Sequence, residues 1–371
     1  MKTDWIEKWA KLLVRYSLKV EKGSVIKLRG PVAAGELITK VYEELLRAGA
    51  FPRVSTQLPG MSEIFFKNAK KEQLSTLSPI DLYEAKKIDG IISIGGQNNT
   101  RELSGVDPAK QVMAMKASKP LSDIILKKDN WVITLFPTAA HAQDAQMSVA
   151  DFEEFVGKAM FLDKANPISA WKTLSRNQQK LADRLTRTKK VRIVSSDTDI
   201  TLNIAGRKGV NSDGHRNMPS GEAFTSPVED SANGYICYTY PVVAYGREIS
   251  GIRLEFSEGK VVKCNANKNE AFLKKMLDTD NGARFLGELG IGTNYGIQNF
   301  IKNILFDEKI GGSIHLAVGK SFENCGGKNK SALHWDMIKD LRKDGELYFD
   351  GKLIQKNGRF IAKDLAGLNS A

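Results

Sequence analysis

The sequence predicts an α/β fold of two domains: an amino-terminal open α/β domain with a parallel sheet, and a carboxy-terminal β-rich (α+β) domain. Three observations support this fold class. The chain has 371 residues, which is more than one ordinary domain needs. Apolar residues in the first half alternate between helical and strand-like spacing. After Val191 they occur in short runs of period two, which is typical of antiparallel strands.

The amino-terminal domain, predicted over residues 1–186, begins with a helix. Asp4 and Glu7 have capping-box spacing, and the apolar residues between Trp5 and Tyr16 follow the helical period. Short apolar runs then predict strands at residues 25–28, 53–56, 90–94 and 131–135. Helical spacing between these runs indicates crossover helices, so the strands are expected to form an open parallel sheet.

Two loops of this domain were considered as binding sites. Gly95 and Gly96 follow a predicted strand, but their loop lacks G-x-G-x-x-G spacing and a Walker lysine, so a plain turn is favoured. His141 follows the strand at residues 131–135 and could reach a cleft, but a lone histidine in a loop is expected to be solvated. Neither loop predicts a nucleotide site.

The carboxy-terminal domain is predicted over residues 187–371. Alternating runs indicate antiparallel strands at residues 191–194, 200–204, 235–240, 252–256 and 259–261. The dipeptides Glu258-Gly259 and Asp350-Gly351 are hairpin signals. Residues 171–188 predict a helix that connects the two domains.

Composition excludes several classes of protein. The formal net charge of +12 invites a nucleic-acid partner, but the basic residues are dispersed and no aromatic platform accompanies them, so none is predicted. No window is apolar enough for a membrane span, and no membrane partner is expected. Three cysteines without a Cys-x-x-Cys pair encode neither a disulfide framework nor a thiolate zinc site. We expect a cytoplasmic protein.

The chemistry concentrates in the second domain, where two histidines lie in strand-like runs. The strand period puts His334 and Asp336 on one face, with apolar residues on the other. His315 lies between small residues, which leave room for an ion. Glu288 is the only carboxylate of an apolar, glycine-rich run, where an ionised group needs a partner or a metal.

Further carboxylates, Glu222 and Glu308, lie beside apolar residues in predicted loops. Taken singly, each residue also has a structural explanation, such as a turn cap, a solvated charge or a hydrogen-bonded pair. Together, four carboxylates and two imidazoles form a ligand set suited to zinc, cobalt or manganese. Four negative charges would balance two divalent ions, so a dinuclear centre is indicated.

These runs resemble the thermophilic metallo-aminopeptidase family, of the aminopeptidase T and aminopeptidase S type. The matching segments are residues 217–225 (NMPSGEAFT), 284–288 (RFLGE), 305–308 (LFDE), 315–319 (HLAVG) and 333–336 (LHWD). The likeness extends over nearly the whole chain. It implies a catalytic carboxy-terminal domain, a peptide substrate, a homodimer that encloses its active sites, and two divalent metal ions.

By position in these motifs, the resemblance implies a metal-ligand role for six residues: Glu222, Glu288, Glu308, His315, His334 and Asp336. Glu288 is expected to be the bridging carboxylate. The predicted function is hydrolysis of the amino-terminal peptide bond of peptides, in which Glu222 accepts a proton from the attacking water.

The chain departs from the family pattern at two points. Phe322 replaces a tyrosine that could stabilise the reacting carbonyl, so Tyr295 or a metal ion is considered for that role. The spacing from Glu308 to His315 is two residues longer than is typical, which makes Glu308 the least secure ligand.

Two other functions remain open at this point. An iron(II)-dependent ring-cleaving dioxygenase on the same fold would use the histidines and Asp336, but retention of all three glutamates argues against it. A non-enzymatic binding protein with a decayed site is suggested only by Phe322.

Overall fold

The structure is a computed structural model that describes residues 1–244 and 247–370. Tyr245, Gly246 and Ala371, the last residue of the predicted second domain, lie outside the described residues. The strands, in chain order, are β1 (Val25–Pro31), β2 (Phe51–Gln57), β3 (Gly90–Gly95), β4 (Trp131–Leu135), β5 (Lys190–Ser195), β6 (Thr198–Asn203), β7 (Val210–Ser212), β8 (Asn217–Met218), β9 (Glu222–Thr225), β10 (Asn233–Cys237), β11 (Val242–Ala244), β12 (Arg247–Ile249), β13 (Arg253–Ser257), β14 (Lys260–Asn265), β15 (Leu286–Gly292), β16 (Ser313–Gly319), β17 (His334–Asp340), β18 (Glu346–Phe349), β19 (Lys352–Lys356) and β20 (Arg359–Phe360).

The α-helices are α1 (Thr3–Lys11), α2 (Gly35–Arg47), α3 (Met61–Asn68), α4 (Lys71–Ser75), α5 (Pro79–Lys87), α6 (Pro108–Lys128), α7 (Ala139–Asp144), α8 (Val149–Ala159), α9 (Pro167–Arg187), α10 (Glu270–Leu277) and α11 (Ile304–Asp307). Helix α1 continues into a π-helical turn, Leu12–Ser17. In the described residues no helix has both the length and the apolar composition of a membrane span.

The chain forms two compact units. The first contains residues 1–168 and 214–219, and the second contains residues 169–213 and everything described after residue 219. Helix α9 therefore belongs to the second unit from Ser169 onward. The sequence placed the boundary between the two domains after residue 186, near the end of this helix. The physical reason is its polar contacts, since the Gln178 side chain donates to the Ser212 carbonyl and the Asn177 side chain donates to the Gly367 carbonyl.

The first unit contains the predicted parallel sheet. Its strand order is β2-β1-β3-β4-β8, and every neighbouring pair is parallel. The four strands predicted from the first half of the chain are confirmed. The fifth strand, β8, comes from the second half of the sequence and is too short for any periodicity to reveal it.

His141 differs from its prediction. It lies in helix α7, is buried, and its Nε2 atom is 3.1 Å from Oε1 of Gln97. The expectation of a solvated loop histidine is therefore wrong. Burial lowers the pKa of His141, and the side chain joins the loop after β3 to helix α7.

The second unit is mainly antiparallel, as predicted. An eight-stranded sheet has the order β14-β13-β10-β6-β5-β18-β19-β20, and a five-stranded sheet has the order β17-β16-β15-β9-β7. Both predicted hairpins are present, because β13 pairs with β14 and β18 pairs with β19. The five-stranded sheet, whose central strands β15 and β16 are buried at every residue, carries the candidate site.

Candidate metal centre

Predicted site residues come together on one face of the five-stranded sheet. Four neighbouring strands provide His334 and Asp336 (β17), His315 (β16), Glu288 (β15) and Glu222 (β9). Residues paired across antiparallel strands share a face of the sheet. Ala317 is paired with both Asp336 and Glu288. His315 lies two residues from Ala317 on the same strand, so His315, Glu288 and Asp336 project to the same side of the sheet.

Glycines on this face are paired with site residues, and one of them, Gly290, leaves the space that the His315 imidazole occupies. Gly290 is paired with His315, Gly292 with Glu222, and Gly319 with His334. A Cβ atom on Gly290 would lie 2.0 Å from Cε1 of His315, so no larger residue fits there without moving the ring. The glycine at residue 290 is therefore explained by the site, whereas a Cβ atom on Gly287 or Gly292 would meet a backbone carbonyl.

Both imidazoles are oriented by backbone carbonyls. The Nδ1 atom of His315 is 3.1 Å from the Glu308 carbonyl oxygen, and that of His334 is 2.8 Å from the Lys320 carbonyl oxygen. When Nδ1 carries the proton and donates it to the carbonyl, Nε2 is left as the atom that can bind a metal.

The Nε2 atoms face the carboxylates. Nε2 of His315 is 3.5 Å from Oε2 of Glu222 and 3.5 Å from Oε1 of Glu288. Nε2 of His334 is 3.3 Å from Oε2 of Glu288 and 3.5 Å from Oδ2 of Asp336. Glu288 therefore contacts both imidazoles through different oxygens, as expected for the central residue of the group.

Glu222 occupies the first position of strand β9, so its predicted loop location is wrong. The strand forms because β9 pairs with β15 on one side and with β7 on the other. Its position is fixed by Gln178 of α9, a buried residue whose side chain donates to the Glu222 carbonyl at 2.6 Å. Thr293 donates to the other end of the same amide at 2.6 Å. No motif in the sequence indicated this role of Gln178.

Glu308 follows the short helix α11, and the residue after it was missed by the sequence analysis. Lys309 is 0% exposed, and its ammonium contacts a carboxylate oxygen of Glu308 and lies 3.6 Å from Oε1 of Glu222. A buried cation thus lies among the predicted ligands. A lysine beside a glutamate in a predicted loop is ordinarily a solvated residue, so the sequence held no signal for it.

The electrostatics of the cluster follow from burial and mutual contact. Desolvation raises the pKa of Glu222 to about 7 and that of Asp336 to about 6. The nearby cationic groups lower both pKa values but offset only part of this rise. Desolvation also opposes ionisation of Glu288, but its contacts with the imidazoles of His315 and His334 prevail and lower its pKa.

The basic groups shift in the opposite sense to what burial alone would give. Desolvation lowers the pKa of both histidines, but the contacts with Glu288 and the other carboxylates outweigh it, raising the pKa of His315 to about 10 and of His334 to about 9. The carboxylates of Glu222 and Glu308 likewise overcome desolvation and raise the pKa of Lys309.

The residues fit a divalent metal ion by the chemistry and the burial of their donor atoms. Three groups have ligand atoms within 4.8 Å of one another: Glu222 with Glu288 and His315, Glu288 with His334 and Asp336, and Glu308 with His315 and Asp336. In the described part of the chain, buried atoms of three of these residues have no hydrogen-bond partner, namely Oε2 of Glu222, Nε2 of His315 and Oδ1 of Asp336. Buried polar atoms without partners are costly, and a bound cation would satisfy them.

Phe322 packs at the edge of the site. Its ring centroid is 5.1 Å from that of His334 and 5.2 Å from that of Phe224. The Tyr295 hydroxyl, considered above as a replacement for the missing phenol, donates to the Gly358 carbonyl at 2.6 Å and is therefore already engaged. Another phenol, that of Tyr238, is buried without a hydrogen-bond partner among the described residues, and burial together with the charge of Asp336 raises its pKa.

A cavity of about 280 Å³ adjoins the cluster. His334 and Asp336 contribute to its wall, and much of the remaining lining is apolar, including Met276, Phe300 and Trp335. A concave, mainly apolar cavity with a few polar groups is the usual form of a small-ligand site.

Fold and site together are those of a metal-dependent enzyme. A profile of the thermophilic metalloprotease family (M29) matches residues 2–360, and the chain belongs to this family. The predicted family and the predicted class of enzyme are confirmed.

Individual relatives agree with this assignment. The chain is 28% identical to aminopeptidase 2 of Geobacillus stearothermophilus, over 94% of this chain and 95% of that protein. It is 27% identical to aminopeptidase T of Thermus thermophilus, over 96% of this chain and 98% of that protein.

Solved structures show the fold. Wild-type AmpT from Thermus thermophilus has a TM-score of 0.84 at 24% identity and covers 96% of this chain and 99% of its own. A 2,5-dihydroxypyridine dioxygenase from Pseudomonas putida KT2440 has a TM-score of 0.65 at 14% identity, over 99% of each chain. At such identities the likeness concerns architecture alone, and function depends on the site residues.

Proposed function

We propose that this protein is a metallo-aminopeptidase that hydrolyses the amino-terminal peptide bond of peptides. The observation that carries the proposal is the presence of three groups of donor atoms in a chain of the thermophilic metalloprotease family. Within each group the ligand atoms lie within 4.8 Å of one another, and together the groups include all six residues that the sequence singled out. The family match and the aminopeptidase relatives support this activity over the ring-cleaving alternative.

A divalent ion held by Glu288, His334, Asp336 and their neighbours would supply Lewis-acid polarisation of the scissile carbonyl and a bound water of lowered pKa. Glu222, whose buried Oε2 makes no hydrogen bond among the described residues, accepts the proton of the attacking water and returns it to the leaving amine. Gln178 and Thr293 hold the strand that carries Glu222 at a fixed distance from the imidazoles.

The substrate's first side chain enters the cavity beside the cluster. Its apolar lining excludes water from that side chain, and its volume of about 280 Å³ suits one residue rather than a long peptide segment. His334 and Asp336 in the cavity wall put the scissile bond next to the metal ligands.

Several finer properties stay predictions. The native metal is expected to be zinc, cobalt or manganese, since the ligands are carboxylates and imidazoles. The sequence predicts two ions from its four carboxylates, and this count omits the Lys309 ammonium, which lies among the same ligands. The cytoplasmic location and the homodimer that encloses its active sites rest on the sequence and on the resemblance.

A pair of matched substrates tests the function. A leucyl dipeptide with a free amino terminus is expected to be hydrolysed, and the same dipeptide with an acetylated amino terminus is not. A strong chelator should abolish the hydrolysis, and zinc, cobalt or manganese should restore it. Undiminished turnover after verified metal removal, or equal turnover of both substrates, would contradict the proposal.

A further inference from the structure

The buried ammonium of Lys309 gives the metal centre an internal cation. The side chain is 0% exposed and ends between Glu222, at 3.6 Å, and Glu308. Both carboxylates belong to the predicted ligand set. An ammonium so far from water is stable only because it is paired with them.

We propose that this centre binds a single divalent ion, and that the Lys309 ammonium takes the place of the second. This inference rests on the proposed function, because it concerns how the same ligands are divided between cations. Glu288, His334 and Asp336 hold the ion, while Glu222 and Glu308 are the partners of Lys309.

The distances separate the proposed position of the metal ion from that of the Lys309 ammonium. Among the described residues, the ion pairs of Lys309 within 4.0 Å are those with Glu222 and Glu308, whereas Glu288 and Asp336 are within 3.5 Å of Nε2 of His334. One of the three ligand groups, Glu288 with His334 and Asp336, therefore contains no carboxylate that Lys309 contacts. Each of the other two groups includes one of its partners.

A second divalent ion would have to compete with Lys309. If an ion bound Glu222 or Glu308, it would lie close to a like-charged ammonium whose own partners it had taken. The lysine backbone is held from two sides, since its amide donates to the Phe306 carbonyl at 3.0 Å and its carbonyl accepts from the Asn294 amide at 3.1 Å. Release of the ammonium to solvent would therefore require this packing to open.

The charges of the cluster support the same division. The carboxylates of Glu222, Glu288, Glu308 and Asp336 carry at most four negative charges. One divalent ion and Lys309 supply three positive charges, before a protonated histidine is counted. Two divalent ions and Lys309 would supply five, more than the four carboxylates can offset, and like-charge repulsion would oppose binding of the second ion.

Metal stoichiometry tests the proposal on the full chain. The protein is freed of metal with a chelator, dialysed to equilibrium against micromolar Mn²⁺ or Zn²⁺, and analysed for metal per chain. The wild type is expected to retain about one ion per chain. Lys309→Met, which keeps an unbranched side chain one atom shorter and removes the charge, is expected to retain about two, because the repulsion on the second ion is removed.

Lys339→Met is the matched control. Lys339 is also a buried lysine paired with a carboxylate, but its partner Asp197 is not a predicted ligand. This variant should retain about one ion per chain, like the wild type, because its charge does not act on the ligand groups.

The outcomes separate this inference from the proposed function. Two tightly bound ions in the wild type, with peptidase activity, would overturn the inference and leave the function intact. One ion in both the wild type and Lys309→Met would also overturn it, since the lysine would not be what excludes the second. No bound ion and no activity would remove both proposals. If Lys309→Met does not fold, the wild-type stoichiometry decides.

Discussion

Gly290 faces the His315 imidazole across paired strands, so an alanine at residue 290 must move the ring. An ideal Cβ atom on Gly290 lies 2.0 Å from Cε1 and 2.1 Å from Nε2 of His315. Non-bonded carbon atoms pack at about 3.5–4.0 Å, so the ring or the strand must shift by about 1.5 Å. The shift displaces Nε2 of His315, which is the ring atom that faces both Glu222 and Glu288.

The expected magnitude follows from the contacts that this shift breaks. Overpacking of a buried strand costs about 1–3 kcal/mol, and loss of the bond from Nδ1 of His315 to the Glu308 carbonyl adds about 1 kcal/mol. We expect Gly290→Ala to lower the free energy of unfolding by about 2–4 kcal/mol. Loss of a contact that orients a ligand weakens metal binding by about 10–100-fold, so displacement of His315, whose Nε2 lies 3.5 Å from Oε1 of Glu288, should cost about that much.

Two measurements separate the effects on folding and on the site. Denaturant unfolding in excess chelator gives the stability of the chain alone, and calorimetric titration with metal gives the affinity at a temperature where the variant is folded. Gly35→Ala in helix α2 is the control, because a Cβ there meets nothing within 4 Å. It should change stability by at most about 1 kcal/mol and leave metal affinity unchanged. Wild-type metal affinity and turnover in Gly290→Ala would refute the reasoning that residue 290 is a glycine to accommodate the imidazole.

Two further substitutions test individual residues of the site. Glu288→Gln should weaken metal binding by at least about tenfold and remove most of the activity while the chain stays folded, because a neutral amide replaces the carboxylate that contacts both imidazoles. Elemental analysis and turnover would check this, with Glu346→Gln as the control, because Glu346 is partly exposed, lies outside the ligand groups and pairs with Lys356. Near-normal turnover of a metal-loaded Glu288→Gln would exclude the central role of Glu288. Phe322→Tyr should raise kcat more than it lowers KM, by up to about a hundredfold, because a hydroxyl that stabilises developing charge on the carbonyl acts mainly in the transition state. Steady-state kinetics on one dipeptide at equal metal content would decide, and an unchanged or lower kcat would mean that another group already fills this role.

The periodic elements of the fold could be predicted because their apolar spacing is local. Four of the five parallel strands of the first unit were visible as short apolar runs, and the β13–β14 and β18–β19 hairpins were visible as turn signals. Strand β8 was not, because Asn217–Met218 is only two residues long and owes its place in the parallel sheet to pairing with β4. Glu222 was likewise assigned to a loop, since its strand is stabilised by β7 and β15 rather than by its own composition.

The candidate ligands were identifiable for a different reason. His315, His334, Asp336 and Glu288 each stand in a run of apolar or small residues, where a charge or an imidazole is conspicuous. Strand periodicity also indicated that His334 and Asp336 share a face, and the structure has both within 3.5 Å of each other. Local sequence could not show that four strands put these side chains on one surface, because that depends on the register between β9, β15, β16 and β17.

Lys309 shows where local reasoning about charge stops being sufficient. The same dipeptide, Glu308-Lys309, would be an ordinary solvated pair at the surface, and counting only carboxylates and histidines therefore gave a charge balance for two divalent ions. Burial changes the result, because an ammonium with 0% exposure beside Glu222 and Glu308 counts fully in that balance. The number of metal ions in such a centre thus depends on which nearby cations the fold buries as well as on how many ligands the sequence provides.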